Sequence, residues 1–187
     1  MVASIYVTRF TGSFWLKMHI NLILGLSADG CLSLNQQDDL SWLSKQDKAN
    51  FKKLTTKSGA VLMGKNTYLS LVDFGVFPLP GRLNFVLTHQ QIDDQGGIFF
   101  AGNPKEVIKQ ISALGVTSLS LIGGRSVYQD FLDSGLVDEI WLTESSKILN
   151  GEIKFDIAPH LKNFKLISEQ ALNSYEIIKN FTKVSSN

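Results

Sequence analysis

The residues able to do chemistry gather at three places in this 187-residue chain. Asp47 follows Ser44 by three positions, where a polar stretch gives way to a helical pattern carrying Phe51 and Leu54. A carboxylate on the first turn of a helix beside a cleft can hydrogen-bond an amidine-like N–C–N edge and raise a substrate's proton affinity. The same spacing is that of a capping box, with Asp in place of the usual Glu, and the two roles compete for the same oxygens. The other two places are glycine-bearing junctions between an apolar run and a helix. They are Met63-Gly64-Lys65-Asn66-Thr67 and Leu121-Ile122-Gly123-Gly124-Arg125-Ser126-Val127-Tyr128. Glycine lets a backbone approach a phosphate closely, and a helix N-terminus offers it unpaired N–H groups. Lys65, Arg125 and Ser126 would add charge and a hydroxyl. Neither junction is a dinucleotide fingerprint or a P-loop, so spacing alone leaves a tight turn with a solvated basic residue as the other reading.

Other chemistries find no support. No Gly-x-Ser-x-Gly occurs, and His19, His89 and His160 lack metal-ligand spacing, so no metal is expected. His89 and His160 read as surface residues. Cys31 is the only cysteine, which excludes an intrachain disulfide and a cysteine-rich zinc site. A reducing compartment, the cytoplasm, is expected, with Cys31 as a small buried side chain. Net charge is +1 with scattered Lys and Arg, which leaves no footprint for nucleic acid or an anionic membrane. With 44% hydrophobic and 19% charged residues, the chain has the composition of a folded domain. No apolar run reaches the roughly 20 residues that span a bilayer. Arg9 and Lys17 ahead of the apolar run 20–26 weakly imitate a secretion signal, but Asn21 interrupts that run. Residues 1–17 read as an extension to a single domain at 18–187, with Met18 as an alternative start, and are expected to be peripheral.

The elements that must position these residues follow from pattern and punctuation. Residues 20–26 form a buried strand ended by Ser27-Ala28-Asp29-Gly30. A polar loop through Asn35–Asp39 is long enough to move. A helix runs from Ser44 to a stop at Gly59, and strand 60–63 leads into a helix over 66–71. Strands at 84–88 and 98–100 precede a helix opened by Asn103-Pro104 and stopped near Gly115. Strand 119–122, helix 126–133 and strand 137–143 follow, with two last strands near 165–170 and 175–182. Alternation of helices with continuous apolar strands predicts an α/β domain with a mostly parallel sheet covered on both faces. The last strands lack a helix between them and should pair antiparallel.

Read in order, these motifs resemble the dihydrofolate reductase-like superfamily, including the reductase domain of bacterial bifunctional riboflavin-biosynthesis enzymes. The resemblance covers Ile20 to Phe155. It is carried by Ser27-Ala28-Asp29-Gly30 after the first strand, Trp42 before a helix and Val61-Leu62-Met63-Gly64-Lys65-Asn66-Thr67-Tyr68. Pro78-Leu79-Pro80-Gly81-Arg82, Ile122-Gly123-Gly124-Arg125-Ser126-Val127-Tyr128 and Gly135-Leu136-Val137-Asp138-Glu139-Ile140 complete it. The resemblance implies a three-layer α/β/α fold with antiparallel C-terminal strands, and an NADPH-dependent oxidoreductase. It implies that NADPH lies across the two junctions, with Gly25, Gly64, Lys65, Thr67, Thr88, Ile122, Gly123, Gly124, Arg125, Ser126, Val127 and Tyr128 lining it. Lys65 falls where a basic residue suits a 2′-phosphate.

The resemblance also implies catalytic roles for Asp47 and for Thr143, which would support that acid. Leu32, Lys48, Phe51 and Arg82 would contact the substrate, with Arg82 and Lys48 on an anionic tail and Asn35–Asp39 as a lid. Asp47, Thr143, Phe51 and Arg82 match the folate branch. Asp29-Gly30-Cys31-Leu32-Ser33, Trp42-Leu43-Ser44 and Gly135–Ile140 look more like the riboflavin branch, and Lys48 replaces a residue that folate enzymes keep apolar. The leading expectation is reduction of 5-amino-6-(5-phosphoribosylamino)uracil. Dihydrofolate reduction is the alternative, followed by a non-enzymatic NADPH-binding relative. A homodimer and a small pyrimidine or pterin substrate complete the expectation.

Overall fold

The computed structural model describes residues 17–90 and 96–184. The expected extension lies outside them except for Lys17. The elements run β1 (His19–Leu26), β2 (Cys31–Ser33), α1 (Lys45–Ser58), β3 (Ala60–Gly64), α2 (Lys65–Asp73), β4 (Leu83–Leu87) and β5 (Ile98–Phe100). Then come α3 (Pro104–Ala113), β6 (Ser118–Leu121), α4 (Arg125–Asp133), β7 (Glu139–Ser145), β8 (Ile153–Lys154), α5 (Ala158–Leu161), β9 (Phe164–Ala171) and β10 (Glu176–Lys183). The main sheet has eight strands in the order β5-β4-β3-β6-β1-β7-β10-β9, and β2 pairs with β8 apart from it. Pairing is parallel from β5 to β7. It turns antiparallel at β10 and β9, which follow each other without the crossover helix that parallel pairing needs. The predicted α/β architecture is the one observed.

Alternation along each strand divides the core between the two faces. Ile20, Leu22, Leu24, Leu62, Phe85, Leu119 and Leu121 face α3 and α4, where Val107, Ile111, Val127 and Phe131 complete one cluster. Val61, Met63 and Val86 face the other way, with Tyr68 of α2 and Phe51 of α1. Five of these buried side chains come from β3 and β4 alone, so both faces of these strands are covered and their sequences read as continuous apolar runs. Cys31 is buried as expected. His160 differs from expectation. Its ring is half-buried and stacks on Phe155, with centroids 6.3 Å apart and planes 7° apart.

Candidate active site

The two strand pairings of β1 end at different points. With β6 the register runs from His19↔Ser118 to Leu22↔Leu121, whereas with β7 it continues to Leu26↔Glu144. Beyond Leu121 the chain turns away through Ile122-Gly123-Gly124 into α4. β1 and β6 therefore part at the carboxyl ends of the central strands, the position where open α/β sheets take their ligands. Each side of this parting carries one of the predicted groups.

On the β3/β6 side the two glycine junctions form one unit. The N–H of Gly64 donates to the carbonyl of Gly123 at 2.8 Å. A Cβ on Gly123, whose φ is +139°, would stand 2.8 Å from Oγ1 of Thr67, and one on Gly124 would stand 3.4 Å from it. A Cβ on Gly64 would meet Val127 at 3.1 Å. The Gly123–Gly124 peptide is cis. Helices α2 and α4 begin at Gly64 and Gly124 with no side-chain cap, whereas Ser44 and Asn103 cap α1 and α3. Two adjacent helix starts thus keep their N–H groups open, as a pyrophosphate requires. Lys65 lies at the rim and bonds the side chain of Gln90, whose own N–H donates to Thr88 Oγ1 at 3.1 Å. Arg125 and Ser126 are exposed on the first turn of α4. Val127 and Tyr128 turn inward, and the Tyr128 hydroxyl donates to the Ile23 carbonyl at 2.7 Å. What those two residues can give a ligand is backbone.

On the β1/β7 side, Gly25 pairs with Thr143, and Thr143 pairs with Ile178 of β10. A Cβ on Gly25 would lie 3.0 Å from Leu43, so the glycine lets the segment ahead of α1 close onto the sheet. Ser44 caps α1 by accepting the Asp47 N–H at 3.1 Å. The reciprocal half of the capping box is absent. The Ser44 N–H goes to Glu176 Oε1 at 2.8 Å, and Asp47 Oδ1 accepts from the Thr143 hydroxyl at 2.6 Å. The competition for the Asp47 oxygens is thus resolved by a second acid. Burial pushes the Asp47 carboxyl above its usual range. The Thr143 hydrogen bond acts downward, Glu176 upward and Lys48 downward.

Farther along α1, Phe51 is half-buried in the second core cluster and Thr55 is fully buried. Arg82 Nη1 donates to Thr55 Oγ1 at 2.6 Å, which holds the guanidinium against the helix, and partial burial lowers its pKa. Lys48 is exposed beside Asp47 on the first turn. Leu32 of β2 packs half-buried against the main core. The Asn35–Asp39 loop is held by its own carboxylates and amide, with Asp38 accepting from the Leu34 and Leu40 N–H groups at 2.7 and 2.9 Å. Three residues here receive no role from the sequence, although Asp29 and Trp42 are among the motifs that carry the resemblance. Glu176 is one. Asp29 is another, accepting from Leu149 and Asn150 N–H groups and from Ser27, contacts that hold its carboxyl well below the usual range. The third is the buried indole N–H of Trp42, which meets no acceptor among the described residues.

A family model described as dihydrofolate reductase matches residues 19–184. The dihydrofolate reductase of Bacillus subtilis is 27% identical over 81% of this chain and 83% of its own length. That of Heliothis virescens is 30% identical over 80% of this chain and 86% of its own. A crystal structure from Shewanella sp. PV-4, assigned provisionally to riboflavin biosynthesis, superposes with a TM-score of 0.72 over 90% of this chain and all of that one. At 19% identity it shows the shared fold. The fold and the comparisons define an α/β reductase, and the chain belongs to the dihydrofolate reductase family. It is an NADPH-dependent oxidoreductase of that family.

Proposed function

We propose that the protein reduces 7,8-dihydrofolate to tetrahydrofolate. The observation that supports this reading best is the Asp47 carboxylate, released from its own helix cap and held half-buried on Thr143. When bound, NADPH supplies the hydride that adds across the C=N bond. Gly64, Thr67, Gly123 and Gly124 with the starts of α2 and α4 would hold its phosphates, and Lys65 its 2′-phosphate. Asp47 would accept two N–H groups from the pterin's N–C–N edge, and burial, which disfavours its charged form, raises its affinity for a proton. Phe51 would contact the ring. Arg82, braced on Thr55, would bind a tail carboxylate in the paired geometry a guanidinium offers. The loop at Asn35–Asp39 would close over the reacting atoms.

One feature supports a second reading, reduction of a phosphoribosylaminopyrimidine. Lys48 presents an exposed ammonium beside Asp47, where a substrate phosphate would gain from it. NADPH oxidation followed by absorbance, with dihydrofolate and 5-amino-6-(5-phosphoribosylamino)uracil in parallel, separates the two. Turnover of dihydrofolate alone is expected. Turnover of the pyrimidine alone would transfer the roles of Lys48 and Arg82 to a phosphate, and no turnover of either would reject both substrates.

A further inference from the structure

Glu176 is a carboxylate with 0% exposure, whereas the other acids among the described residues largely reach solvent. Removing such a charge from water is costly unless donors replace the water. Two do. Oε1 accepts the backbone N–H of Ser44 at 2.8 Å and Oε2 accepts the side-chain amide of Asn173 at 2.8 Å. Glu176 pairs with Ser145, and Ile178, two residues on, pairs with Thr143. Directly opposed residues share a sheet face, as do residues two apart, so Glu176 and Thr143 project to the same side. Both therefore reach the first turn of α1, one through Ser44 and the other through Asp47.

We propose that Glu176 is a positioning residue for Asp47: it ties the start of α1 to β10 and fixes a second negative charge against that turn. The inference rests on the proton-handling role assigned to Asp47. A structural tie alone could be made by a neutral acceptor, and the fully buried charge is what makes the role electrostatic. Among the described residues, the groups acting on Asp47 are few. Lys48 comes from its own helix, Glu176 from β10 and the Thr143 hydroxyl from β7. Lys147, after β7, is directed to the Trp42 carbonyl at 2.6 Å and lies over the Tyr175 ring. Glu176 opposes ionisation of Asp47, and Lys48 favours it.

Glu176→Gln keeps the shape and an oxygen for Ser44 but removes the charge. Glu176→Asp keeps the charge but withdraws it by one methylene. The Asp47 carboxyl can be titrated by carbon NMR in the full chain without substrate, its signal identified by its loss in D47N. In E176Q the midpoint should fall by about half a pH unit or more, a roughly threefold loss of protonated Asp47 at a fixed pH above it. In E176D the withdrawn charge should lower the midpoint too, by less than in E176Q. Turnover should drop several-fold, because α1 loses its tie. An unchanged midpoint in E176Q overturns the inference. If E176Q does not fold, E176D decides: slowed turnover with a lowered midpoint supports the role, and an unmoved midpoint overturns it. The titration needs no substrate, so the midpoints stand or fall independently of the substrate proposed above.

Discussion

Asp47 shows how one side chain's role depends on which neighbour answers its helix's first N–H. Had Asp47 returned to Ser44, its oxygens would serve the cap. Glu176 takes that N–H, and Asp47 is left facing Thr143. For D47N, kcat/KM should fall by about a hundredfold or more at neutral pH, measured by NADPH oxidation. Stability should move the other way. An acid whose folded pKa is raised stays protonated where the unfolded chain is already ionised, so its ionisation costs stability as pH rises through the raised value. Wild type should therefore lose melting temperature relative to D47N from the ordinary carboxylate range upward, and the two should converge in acid. A D47N protein as active as wild type would return Asp47 to a purely structural part.

At the scale of elements, the contrast between capped and uncapped helices marks the proposed phosphate site. α1 and α3 carry side-chain caps, while α2 and α4 leave their N-termini open at the joined glycines. Lys65→Ala should weaken NADPH about tenfold and NADH only about twofold in fluorescence titrations, since a lost charged contact to phosphate acts on one cofactor alone. Equal losses would remove the 2′-phosphate role. Much of this arrangement was legible in the sequence. β1, β3 and β4 are mostly apolar runs closed by turn residues, and the glycines marked both junctions. β2, β8 and α5, of three, two and four residues, are too short to show a period. Glu176 stayed hidden because it lies 132 residues from Ser44, and only the register of β7 and β10 brings them together. Its inward face, Glu176-Ile178-Asn180, is mostly polar, so alternation gave no hint of burial.

At the scale of the whole molecule, Met18 is the first of the described residues in the main core, at 5% exposure, while Lys17 lies outside on an ion pair with Asp138. We propose that residues 18–187 are the folding unit. A chain begun at Met18 should melt within a few degrees of the full protein and keep its NADPH-oxidising rate. A collapse in solubility or rate would assign residues 1–17 a part in the fold. The hydrogen bond between Gly64 and Gly123 carries a different consequence. It joins the ends of two neighbouring central strands, so a dinucleotide held there would act as a crosslink across the middle of the protein. The melting temperature then becomes a reading of cofactor supply, with about 2.7 kcal/mol gained at a hundred times the dissociation constant. A cell short of NADPH would hold not only an idle enzyme but a less durable one.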